Sequence, residues 1–157
     1  MQQHGGGLFC DIQCYKNNNN KFILKEFAAV TNDFQFHCFV IPPHGYEQLT
    51  EESKRHARWN YINLHKIPWN LGSTRMCDLE RYMRLFHRNT VVYIKGDEKA
   101  DFIQDRFPHL RVVTLPQHPS LKTIASAQDE CYFHKHVSMG YCALNNAYKI
   151  MSAFSER

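Results

Sequence analysis

The stretch LFCDIQCYKNNNNKFILKEFAAVTNDFQFHCFVI, Leu8 to Ile41, carries the first fold signal. Leu8 to Tyr15 and Lys21 to Val30 are rich in apolar, aromatic and β-branched residues, which suit strands. Phe34, Phe36, Cys38 and Val40 alternate along a third strand, Phe34 to Ile41. Between them stand Asn17–Asn20 and Asn32-Asp33, residues that accept turn conformations. Three strands joined by short turns predict an antiparallel meander. Pro42-Pro43 ends it, because proline cannot donate to a ladder.

Downstream the pattern changes period. Tyr46 to about Leu64 is expected to be helical, and Lys66 to Gly72 a loop in which Trp69 packs. A helix capped by Ser73 or Thr74 is expected to run to about His87, with Leu79, Tyr82, Met83 and Phe86 at helical spacing. Thr90 to Ile94 and Leu110 to Leu115 read as strands, Asp97 to Phe107 as a helix, and Ser120 to Ala127 as a short helix. Ala143, Ala147, Ile150, Met151 and Phe154 mark one face of a final helix. A meander followed by alternating helix and strand predicts an α/β domain with a mixed five-stranded sheet and helices on both faces.

With 157 residues, 43% of them hydrophobic, the chain suits one core: residues 1–7 as a flexible, Gly-rich start and 8–157 as a single domain. The formal charge of +4 permits contact with nucleic acid without demanding it. No segment approaches the roughly 20 apolar residues of a membrane span. The start lacks the pattern of a secretion signal, and the six cysteines are irregularly spaced. An intracellular protein, cytoplasmic or nuclear, with reduced thiols is expected, and there clustered cysteine suggests metal before disulfide. Cys10 and Cys14 share a strand face but lie too far apart for one zinc, so they are expected in the core.

The element order, with Asp11-Ile12-Gln13 on the first strand and Tyr141-Cys142-Ala143-Leu144-Asn145-Asn146 opening the last helix, resembles the DnaQ-type exonucleases of RNase H-like fold. The resemblance spans about Leu8 to Phe154. In that family an Asp-x-Glu pair, a mid-chain Asp and a His-x-Ala-Leu-x-Asp motif bind two divalent cations that activate water. It implies that Asp11 is retained while Gln13, Tyr141 and Asn146 stand where the family has Glu, His and Asp. Ala100 falls at the mid-chain position, with Asp101 one residue off. Amides cannot supply the charge that holds Mg²⁺, so the carboxylate site reads as degenerate.

A second resemblance is to the Maelstrom domain of the piRNA pathway, a DnaQ-like fold with a Glu-Cys-His-Cys zinc site. It rests on Lys25-Glu26-Phe27-Ala28, Cys131-Tyr132-Phe133-His134 and Tyr141-Cys142-Ala143-Leu144. It implies Glu26, Cys131, His134 and Cys142 as zinc ligands; Tyr141 departs from the His often found there. Independently, Cys131-x2-His134-x7-Cys142 supplies three zinc-type donors within twelve residues, with His136 a spare donor. The plainer alternative is a core cysteine beside ordinary loop residues.

Basic residues offer a further feature. Lys54, Arg55 and Arg58 precede Trp59 and Tyr61, a mixture that suits single-stranded nucleic acid or merely a solvated helix face. Arg81, Arg84 and Arg88 have the spacing of one helix face and form a second candidate strip. The expected function is therefore a degenerate nuclease-fold module with structural zinc and no small-molecule cofactor. It would bind single-stranded RNA or a partner protein in silencing or processing, with residual RNA cleavage left open. Two alternatives stand beside it: a Mg²⁺-dependent 3′-5′ exonuclease using Asp11, and a purely protein-interaction module.

Overall fold

The meander forms as β1 (Leu8–Lys16), β2 (Phe22–Thr31) and β3 (Phe34–Phe39). The asparagine run closes its first turn: Asn17 Oδ1 accepts the amides of Asn19 and Lys21 at 2.8 and 3.0 Å, and Asn20 takes φ 62°. The computed structural model describes residues 7–124, 131–135 and 141–155. In it, β4 (Val91–Lys95) and β5 (Arg111–Leu115) join β1 in parallel, giving the sheet order β3-β2-β1-β4-β5.

β1 sorts the layers. Leu8, Cys10 and Ile12 face α2 (Met76–Met83) and α3 (Asp97–Arg106) in a core with Leu79, Met83, Ala100 and Ile103. The alternate residue Phe9 packs with Ala143, Ala147 and Ile150 of α5 (Ala143–Phe154). Tyr15, on that same alternation, packs with Ala57 of α1 (Glu51–Asn63) and with Trp69. Asp11 and Gln13 lie between these two clusters and point to the same face. A short α4 (Tyr132–Lys135) precedes α5. No helix among the described residues is long and apolar enough to cross a membrane.

One irregularity matters. Pairing jumps from Gln13↔Glu26 to Cys14↔Leu24, so Lys25 is the extra residue of a β-bulge. Freed from the alternation, its buried Nζ donates to the carbonyls of Val40 (3.0 Å), Trp69 (2.8 Å) and Leu71, tying the 66–72 loop to β2.

Several expected boundaries shift. The third strand stops at Phe39; beyond it Val40 makes an isolated bridge to Thr74, and its amide donates to the Lys25 carbonyl at 2.8 Å. The helix expected to start at Ser73 or Thr74 instead follows Arg75 and ends at Met83. Leu85 and Phe86 bond back three residues, to Tyr82 and Met83, a tighter turn that brings Phe86 into the core. The expected helix from Ser120 is a 3-10 turn at Leu121–Thr123, and the rest of its predicted span, 125–127, lies outside the described residues, as do His136 and residues 1–6 of the predicted flexible start.

Candidate metal centre

Glu26 faces α5 because the bulge leaves it opposite Gln13 on β2. Cys142 caps the N-terminus of α5, and Cys131 and His134 bracket the first turn of α4. All four side chains are buried, and their donor atoms lie within 4.8 Å of one another. Cys131 Sγ is 3.2 Å from His134 Nδ1, each thiol is 3.9 Å from Glu26 Oε2, and His134 Nδ1 is 3.9 Å from that oxygen. Tetrahedral zinc with its usual bond lengths separates thiolate, imidazole and carboxylate donors by roughly 3.3–3.8 Å. The four residues therefore suit such an ion in type and number, and shifts of a few tenths of an ångström in the quoted distances would bring them to its donor spacing.

The surroundings fit too. His134 Nε2 donates to the His65 carbonyl at 2.7 Å, which turns the Nδ1 lone pair of a neutral ring toward the cluster. The His134 and Asn145 amides point at Cys131 and Cys142 sulfur at 3.4 and 3.5 Å. The Ala143 amide holds Glu26 Oε1 at 2.9 Å, leaving Oε2 toward the thiols. The Cys142 thiol beside Cys131 draws the Cys131 pKa below its ordinary value, against the effect of burial. The same contact, with burial, pushes Cys142 up. Burial opposes charge on His134, but Cys142 and Glu26 outweigh it and raise its pKa.

His37 escaped the sequence reading. Its Nε2 lies 2.7 Å from Glu26 Oε2. It pairs across from Ala28, so it is the diagonal neighbour of Glu26 on one sheet face. Strand register, unknown from sequence, was the missing signal.

Next to this cluster lies the carboxylate position. Asp11 is buried, and Lys99 Nζ meets its Oδ1 at 2.9 Å. Asn146 Nδ2 meets Oδ2 at 2.9 Å and Gln13 Nε2 meets it at 3.3 Å. Burial opposes the Lys99 charge, yet Asp11 outweighs it and raises the lysine pKa. Ala100 is buried in the opposite core, and Asp101 is exposed, so the chain brings Lys99 rather than Asp101 to the site. Above it, Gln13, Lys99, Tyr141 and Asn146 line a cleft of about 380 Å³. Tyr141 stands partly exposed, its amide bonded to the Leu64 carbonyl.

The basic candidates are placed as follows. Lys54 pairs with Glu51 at 3.4 Å, while Arg55 and Arg58 are exposed on α1. Arg81, Arg84 and Arg88 do not form a helix face, because α2 ends at Met83. Arg81 pairs with Asp78 at 3.6 Å, and Arg84 and Arg88 border a separate hollow with Arg106.

No protein-family model matches the sequence, and a comparison with curated proteins finds no relative. Solved structures do match. The exonuclease domain of Mopeia virus, in a manganese-depleted form, aligns with a TM-score of 0.56 at 12% identity over 95% of this chain and 76% of that one. The same domain partially complexed with manganese aligns with a TM-score of 0.50 at 12% identity over 98% and 81%. Sheet order, helical layers and these neighbours together identify an α/β, RNase H-like fold of the kind found in exonuclease domains, with a buried Glu-Cys-His-Cys cluster able to hold a metal such as zinc.

Proposed function

We propose that the chain is a catalytically degenerate exonuclease-fold module, related to the Maelstrom-type domain, that carries structural zinc and binds single-stranded RNA in RNA silencing or processing. The observation that carries the degenerate reading is the saturation of Asp11: an ammonium and two amides occupy its oxygens. Two-metal hydrolysis needs several carboxylates around the cations; here amides stand at Gln13 and Asn146 and a cation at Lys99. Tyr141 replaces the imidazole that the resemblance would place as general base.

Glu26, Cys131, His134 and Cys142 would hold the zinc. Zinc there would act as a closed cross-link contributing folding free energy. The four residues join β2 to the start of α5 and so position Asn146, one turn further along, against Asp11. Lys54, Arg55 and Arg58 would supply phosphate contacts.

The test combines metal analysis, RNA binding and nuclease assay on the purified protein. The expected result is one equivalent of zinc, oligouridine binding at low salt, and no shortening of 5′-labelled RNA in manganese or magnesium. Metal-dependent 3′-5′ trimming abolished by Asp11→Ala would overturn it in favour of an active exonuclease. Bound zinc with no RNA affinity would favour a protein-interaction module.

A further inference from the structure

A second concavity adjoins the first along α1. Asn60 and Leu64 line the cleft over Asp11, whereas Arg58 and Tyr61 line a separate pocket of about 230 Å³ closed by Tyr15, Tyr46, Pro68 and Trp69. The pocket is strongly aromatic. Trp69 is buried and fixed by its indole N–H donating to the His44 carbonyl at 3.0 Å. Tyr46 stands at 74° to it with ring centres 6.0 Å apart, and Tyr15 lies 5.1 Å away. Tyr61 is exposed, and its hydroxyl has no hydrogen-bond partner among the described residues.

The rim selects among occupants. A cage of aromatic rings could take a methylated ammonium, but Arg58 Nη1 bonds the Tyr46 hydroxyl at 3.0 Å and Lys54 Nζ sits 5.7 Å from the centre of that ring. Cations already hold the rim and would repel another. No carboxylate among the described residues pairs with Arg55 or Arg58. Planar apolar walls beside uncompensated positive charge suit an aromatic ligand joined to an anion. The unpartnered Tyr61 hydroxyl can meet a sugar hydroxyl, the group that distinguishes RNA from DNA.

We infer that this pocket between α1 and the 66–71 loop receives one unpaired base of single-stranded RNA, stacked against the exposed ring of Tyr61 with buried Trp69 as the pocket floor, and with its phosphate on Arg58. The inference rests on the RNA-binding reading above and adds a specific subsite to it. The experiment measures anisotropy of fluorescein-labelled oligouridine with wild type, Tyr61→Ala, Tyr61→Phe and Arg58→Ala, with thermal unfolding as the control for folding. Loss of one stacking partner is expected to weaken binding about tenfold in Tyr61→Ala. Tyr61→Phe should restore most of it, and all variants should unfold within about 3 °C of wild type, because both side chains are exposed and Arg58 gives up one surface hydrogen bond, to the Tyr46 hydroxyl. Tyr61→Ala binding like wild type would overturn the pocket while leaving RNA binding intact; no binding by wild type would overturn both. Oligodeoxythymidine bound as tightly as oligouridine would overturn the RNA assignment. Displacement of RNA by tetramethylammonium or a proline-rich peptide at lower concentration than by unlabelled RNA would assign the pocket to those ligands instead.

Discussion

Replacing Lys99 by methionine keeps the length of the side chain and removes its charge. Asp11 is 1% exposed and Lys99 28%, with 2.9 Å between the charged atoms. Removing one member of a buried pair costs about 3–5 kcal/mol, because the other charge stays behind in a poor solvent. Here Asn146 and Gln13 still donate to Asp11, and water can follow the vacated path, so the lower end, about 3 kcal/mol, applies. For 157 residues, at about 2.1 cal/mol/K each, the unfolding entropy is near 0.33 kcal/mol/K. The Lys99→Met variant should therefore melt about 9 °C below wild type.

The double variant Asp11→Asn/Lys99→Met removes both charges and should recover most of that loss, the signature of a coupled pair. The pH dependence has a definite sign. The folded pKa of Lys99 lies above the ordinary lysine value of 10.5. Its contribution is then whole below 10.5 and disappears as pH rises through the folded value. The gap between wild type and Lys99→Met should stay level from neutral pH to the lysine range and close above it. Scanning calorimetry with and without millimolar manganese reads all of this. Lys99→Met melting within about 3 °C of wild type would refute the pairing argument. So would manganese stabilisation of wild type that Asp11→Asn abolishes, since the carboxylate would then be open to a divalent cation.

Other consequences follow from the same contacts. If the four donors hold zinc at a thousandfold above its Kd, chelation should remove about 4 kcal/mol, read as a drop in melting temperature that zinc reverses; no drop would argue against the four-donor site. If Arg58 contacts a phosphate, Arg58→Ala should flatten the dependence of log K for oligouridine on log salt by about 0.7; an unchanged slope would remove Arg58 from the interface. Cys77 is exposed while Cys10, Cys131 and Cys142 are buried, so brief iodoacetamide treatment of the folded protein should label Cys77 first by peptide mass spectrometry. Prior labelling of Cys131 or Cys142 would show the cluster to be open.

The antiparallel meander could be inferred because β1 to β3 are locally paired and punctuated by asparagine, so each signal lies within a few residues of its effect. The clustering of Cys131, His134 and Cys142 could be expected from their spacing, and that of Glu26 with them only from the resemblance. What escaped depended on register or on long side chains. His37 becomes a neighbour of Glu26 only through the β2–β3 pairing. Lys99 reaches Asp11 across 88 positions of sequence. On α3 it follows Asp97 and Glu98, where nothing marks one lysine as turned inward. Lys25 leaves the strand alternation only because of the bulge. The end of α2 was misplaced for a similar reason: Phe86 continues the helical period of Leu79 and Met83, yet reaches the same core through a turn.

The two clusters are mechanically one device. Cys142 caps α5 and its sulfur accepts the Asn145 amide; the next residue, Ala143, donates its amide to Glu26. Asn146 follows one turn later and carries its amide to Asp11 at 2.9 Å. The metal donors therefore set the height and rotation of α5, and α5 sets how Asp11 is satisfied. In a working nuclease of this fold, catalytic cations bound by carboxylates would draw the last helix against the first strand. Here a cross-link beside the site can do that, while Lys99 supplies the positive charge on Asp11. On the degenerate reading proposed above, this arrangement would keep the cleft in place without a full set of catalytic carboxylates. Amide exchange gives the idea its sharpest test. Metal removal should raise exchange first in the opening turn of α5 and then at Asp11 and its neighbours on β1, while α2 and α3, on the far face of the sheet, stay protected. Exchange that rose evenly over both faces would show that the metal supports the whole fold rather than the seating of this helix.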